Sequence, residues 1–123
     1  MNTWIGVDLD GTLAQYDGWN DGAIGAPIPA MVERVRGWLA EGKDVRIFTA
    51  RVGLQPDAFS VESQRYADAE FVAAETTKIQ DWCEQHIGVR LPVTNVKDFG
   101  MVALYDDRAF RVEKNTGRII GDE

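Results

Sequence analysis

Hydrophobic and polar positions along the chain switch between a period of two and a period near 3.6, and the switches mark out the elements. Trp4-Ile5-Gly6-Val7 is an apolar, strand-like run that ends in Asp8-Leu9-Asp10-Gly11, where glycine permits a sharp turn. Residues 11–26 contain four glycines and no helical period, which predicts a loop or small flap. From Pro27 onward, Ile28, Met31, Val32, Val35 and Leu39 share one helix face, and Gly42 is the expected terminator. Val45-Arg46-Ile47-Phe48-Thr49 predicts a second strand, closed by Ala50-Arg51. Residues 57–87 read as a long helical stretch with a break near Thr76-Thr77; its second part puts Ile79, Trp82, Cys83 and Ile87 on one stripe before Gly88. Residues 91–96 and 101–105 predict two further strands, the second running straight into Asp106-Asp107. Residues 111–120 predict a β-hairpin around Lys114-Asn115-Thr116-Gly117.

Strand, helix, strand, helix, strand is the order of an α/β fold: a Rossmann-like, mostly parallel sheet in three layers, with helices on both faces. Residues 1–123 are expected to form one such domain, with no linker or repeat. The link from Val96 to Met101 is too short for a helical crossover, so the two strands it joins are not expected to be neighbours. In such sheets ligands bind at the carboxyl ends of the strands. The polar residues fall there: Asp8 and Asp10 after the first strand, Thr49 and Arg51 after the second, Lys97 after the third, Asp106 and Asp107 after the fourth.

Composition narrows the classes. The 123 residues carry 13 Lys and Arg against 20 Asp and Glu, a net charge of −7, with one Cys and one His. A lone cysteine forms no internal disulfide, which points to a reducing, cytoplasmic setting. The start has no basic segment followed by an apolar stretch, and no apolar run approaches the ~20 residues that span a bilayer, so no membrane partner is expected. The acidic balance opposes tight binding to long nucleic acid, whose affinity comes mostly from Lys and Arg. The glycine-rich stretch 18–25 lacks the GxxxxGK[ST] spacing of a P-loop. Cys83 on the apolar stripe, His86 near a helix end and Trp4, Trp38 and Trp82 read as packing residues.

The acidic positions carry the chemistry. Asp8 and Asp10, two apart on an extended segment, can project to one side; with Asp106 and Asp107 they make a candidate metal set of four carboxylates. Hard oxygen ligands favour Mg²⁺, which commonly bridges to a substrate phosphate. One Mg²⁺ with Lys97 and Arg51 would balance the four negative charges. A carboxylate beside such an ion can attack a phosphoryl group, and a second can move the proton. Gly11, Thr12, Thr49, Ala50, Arg51 and Lys97 form the expected substrate-binding set, with Thr49 and Lys97 also counted as catalytic for positioning and neutralising the phosphate.

Asp8-Leu9-Asp10-Gly11-Thr12-Leu13 resembles the DxDGTL signature of the haloacid dehalogenase (HAD) superfamily. Thr49 in Phe-Thr-Ala-Arg looks like its second motif and Tyr105-Asp106-Asp107-Arg108 like its acidic fourth, in the family's order, over residues 4 to about 112. The resemblance implies a phosphatase in which Asp8 is the nucleophile and Asp10 the acid/base, its backbone carbonyl also contacting Mg²⁺; Thr49 would hold the phosphate, and Asp106 or Asp107 would complete the metal site. Lys97, nine residues before Asp106, fits the third motif better than Lys78, which sits mid-helix. Residues 14–27 and 52–90 leave room only for a flap and a helix with its lead-in, which looks like a capless member. Capless relatives often act on large or exposed phosphates, and Tyr16 and Trp19 in the flap can stack on a base or sugar.

The expected activity is therefore Mg²⁺-dependent phosphomonoester hydrolysis on a small phosphorylated partner, a nucleotide or nucleic-acid-end phosphate being favoured over a sugar phosphate. The alternatives are a sugar-phosphate phosphatase of the same fold, a receiver-like phosphoacceptor and a non-catalytic binding module. Homo-oligomerisation is left open.

Overall fold

The computed structural model describes residues 2–53 and 69–121. Strand β1 (Trp4–Val7) is buried along its whole length, as befits the inner position its apolar run predicts. It pairs in parallel with β2 (Val45–Phe48) on one side and β4 (Met101–Tyr105) on the other. The short β3 (Val93–Thr94) pairs in parallel with β2, so the sheet order is β3-β2-β1-β4. The third strand is thus shorter than residues 91–96, although Leu91 is buried in the core. Beyond the sheet, β5 (Arg111–Val112) and β6 (Ile119–Ile120) pair antiparallel.

Helix α1 (Pro29–Ala40) starts with proline at its first position, where a missing N–H costs nothing, and buries Met31, Val32 and Val35. Helix α2 (Ala69–His86) buries Glu75, Ile79, Trp82 and Cys83. It runs without a break through Thr76-Thr77, and the expected helical residues 57–68 lie outside the described ones. Both helices pack in one cluster with Ile5, Val7, Val45 and Ile47, which alternate onto the same sheet face. Right-handed crossovers that step in the same direction, β1 to β2 and β2 to β3, must put their helices on one face. Arg36 of α1 donates to the carbonyls of His86 (2.9 Å) and Ile87 (3.3 Å), closing the C-terminal end of α2.

Helices on both faces were expected; among the described residues both helices, α1 and α2, lie on one face and none covers the other. There the ring of Trp4, 2% exposed, sits under the guanidinium of Arg46 (4.7 Å) and donates from Nε1 to Asp98 (2.8 Å). Asp98 belongs to the link between β3 and β4, which must pass from one sheet edge to the other and back to the strands' amino ends. Three strand spacings and a four-residue drop make a diagonal of about 19 Å. Seven steps of extended chain reach about 25 Å, enough for a strap and too little for a helix. Gly6 makes room beneath: a Cβ there would lie 2.8 Å from Met101 Cε and 3.2 Å from the Trp4 ring. Among the described residues no helix is long and apolar enough to cross a membrane.

Candidate active site

The carboxyl end of β1 builds the site. Asp8 continues the ladder, its N–H donating to the Tyr105 carbonyl at 2.9 Å, which brings it level with the residues that follow β4. The Leu9 carbonyl then accepts from the N–H groups of Thr12, Leu13 and Ala14 (3.3, 3.0 and 2.9 Å), and the chain turns sharply with Leu9, Leu13 and Ala14 all fully buried. Gly11 occupies the left-handed region at φ 91°, and a Cβ there would stand 2.6 Å from an Asp107 carboxylate oxygen. Glycine thus serves both the turn and the approach of Asp107. The Thr12 hydroxyl accepts from the Asp107 N–H (2.9 Å) and lies within donating distance of Asp107 (3.1 Å) and Asp8 (3.4 Å). Gly11 and Thr12, expected to bind substrate, position the acidic residues.

Asp8, Asp106 and Asp107 each offer one oxygen within 4.8 Å of the other two. That crowding shows in their acidities. Burial, a hydrogen bond with Asp107 and the charges of Asp106, Asp107 and Asp10 push Asp8 up to about 7. Asp107 is held below the ordinary carboxylate range: burial opposes this, but bonds from Asp8 and Thr12 outweigh it. Asp8 therefore keeps its proton to near neutrality unless a cation displaces it. Three carboxylate oxygens this close are hard donors of the kind that hold Mg²⁺.

The fourth expected ligand lies apart from this group. Both carboxylate oxygens of Asp10 accept from Arg51, from Nε at 2.7 Å and from Nη2 at 2.8 Å. Arg51 is 4% exposed, and its other donors go to the carbonyls of Gly22 (2.7 Å) and Ala23 (3.3 Å) and to Glu75 (3.5 Å). All five guanidinium N–H groups are committed, so Arg51 is a clamp and not the substrate-side cation expected of it. It ties β2's end to β1, to the flap and to α2, and the Trp19 ring lies against it at 4.8 Å. Thr49, 4% exposed, accepts from the Arg51 N–H at 3.1 Å, which starts the 3-10 turn Ala50–Val52. Thr49 and Ala50 both line the cleft.

The cleft measures about 1080 Å³ and is also lined by Asp8, Asp10, Asp106, Asp107, Tyr16, Trp19, Phe48, Phe71, Asn95 and Arg108. Neither candidate lysine is among its lining residues. Lys97 is exposed on the strap; Lys78 donates to the Gly22 carbonyl (2.8 Å) and pairs with Glu75 (2.6 Å). The sequence reading missed Asn95, Phe48, Phe71, Glu75 and Arg108. Asn95 follows the last residue of β3, so ending that strand at Thr94 would have found it by the carboxyl-end rule. Arg108 follows the acidic pair directly. Glu75 carried only the local signal of a helical pair with Lys78 three residues on, since its other partner comes from β2's end.

No family model and no curated protein matches the chain. A solved structure of a conserved protein from Bacteroides thetaiotaomicron is similar, with a TM-score of 0.55 at 18% identity over 89% of this chain and 78% of that one. At that identity the likeness is one of fold: a parallel α/β sheet flanked by helices.

Proposed function

We propose that the protein is a Mg²⁺-dependent phosphomonoester hydrolase that works through an aspartyl-phosphate on Asp8. The observation that carries this is the Asp8 carboxyl in the cleft, with one oxygen each of Asp8, Asp106 and Asp107 within 4.8 Å of one another. Asp8, Asp106 and Asp107 would hold the ion, which supplies positive charge against the phosphoryl oxygens. An oxygen of Asp8 attacks phosphorus while the bond to the leaving oxygen breaks, and water then cleaves the acyl phosphate. Asp10 handles the proton, first toward the leaving oxygen and then from the water. Thr49 donates its hydroxyl to the phosphoryl group. Among the described residues lining the cleft, Arg108 is the cation whose side chain has no hydrogen-bond or ion-pair partner, and it takes the neutralising role that Lys97 and Arg51 were expected to share.

The test is hydrolysis of para-nitrophenyl phosphate with and without Mg²⁺ by the wild type and by Asp8→Asn. Metal-dependent turnover that the substitution abolishes, in a variant that still melts cooperatively, is expected. Full activity in Asp8→Asn would end this reading. A phosphorylated Asp8 that persists for hours without turnover would convert it to that of a phosphoacceptor.

A further inference from the structure

The cleft is an open one far larger than a phosphate group requires, and at about 1080 Å³ it has room for a whole small molecule. Its lining is divided. Carboxylates and Thr49 occupy the floor at the strand ends, while Tyr16 and Trp19 of the flap, Phe48 and Phe71 supply rings to the walls. Tyr16 and Trp19 are each 49% exposed. One face of the Trp19 ring is backed by Arg51, which five acceptors hold in place. Asn95, at the end of β3, has a side-chain amide with no hydrogen-bond partner among the described residues. Its Nδ2 stands 2.7 Å from where a Cβ on Gly53 would be, and the bare backbone of Gly53 gives it room.

From this arrangement we infer that the substrate is a nucleoside monophosphate, its base stacked on Trp19 and Tyr16 and its polar edge met by Asn95. The inference rests on the phosphatase reading for the phosphate end and on the rings for the other. An amide offers a donor and an acceptor side by side, the pattern that pairs with a base edge. A sugar phosphate would leave the four rings of the lining without a partner. A polynucleotide would call for a row of cations, and the net charge is −7.

Calorimetry on the Asp8→Asn protein with Mg²⁺ tests this without turnover, using adenosine 5′-monophosphate against ribose 5-phosphate. Base stacking predicts that the nucleotide binds roughly tenfold or more tightly. Adding Trp19→Ala should bring the two affinities within about threefold, and Trp19→Phe should keep most of the preference. Equal affinities in the parent, or a preference that Trp19→Ala leaves intact, would overturn the inference. Either result would leave para-nitrophenyl phosphate hydrolysis by the wild type standing. Absent hydrolysis would instead remove the phosphatase reading while the binding preference was still measured.

Discussion

Arg51 shows how much one side chain's surroundings decide. Read along the chain it is a cation beside a phosphate-binding threonine, but its five N–H groups serve Asp10, Glu75, Gly22 and Ala23. Removing it would strand the Asp10 carboxylate and leave Glu75 to Lys78 alone, so Arg51→Ala should cost about 3 kcal/mol in urea unfolding. Arg51→Lys should recover only part of that, because an ammonium cannot bridge the same acceptors. Asp8 predicts a pH dependence. Its pKa stands near 7 in the fold against 3.8 in an unfolded chain, so the native state binds the extra proton between those values. The stability it contributes is present below about pH 4 and is lost as pH rises to about 7. Metal-free protein should therefore show a urea midpoint that falls from pH 5 to pH 8, with a smaller fall in Asp8→Asn. An unchanged slope in that variant would rule out Asp8 as its source.

Elements were legible where one local period governed them. β1, β2 and β4 begin and end within a residue of their apolar runs, and α1 and α2 stop at Gly42 and Gly88 as their patterns predict. The third strand was overdrawn because Leu91 is apolar for the core and Val96 is apolar but exposed, two roles that composition does not separate. On the opposite sheet face a helical layer was expected, and among the described residues six residues of strap and the Trp4–Asp98 bond lie there instead. Asp98 accepts from Trp4 Nε1 and from the Gly100 N–H, both at 2.8 Å. Asp98→Ala should thus lower the melting temperature while leaving metal binding unchanged, as thermal melts with and without Mg²⁺ would show. A comparable loss of metal binding would mean that the strap also positions the cleft.

Taken whole, the molecule gathers Asp8, Asp10, Asp106 and Asp107 at one cleft. Binding of a cation by the native state alone raises stability by about 2.7 kcal/mol when the free ion is a hundredfold above its dissociation constant. Mg²⁺ should therefore raise the melting temperature of the wild type and flatten its pH slope, and Asp107→Ala should abolish both effects. A melting temperature indifferent to Mg²⁺ would remove the metal from the proposed chemistry. Strand periods, helix faces, terminating glycines and the gathering of Asp8, Asp10, Thr49, Asp106 and Asp107 at one end of the sheet follow from neighbours in sequence, because each depends on backbone geometry over a few residues. Which of those carboxylates meet does not. Asp8 joins Asp107 through the β1–β4 register, and Asp10 turns to Arg51, 41 residues away, because α2 and the flap enclose that guanidinium. Such pairings depend on packing between distant segments, and no local pattern encodes them.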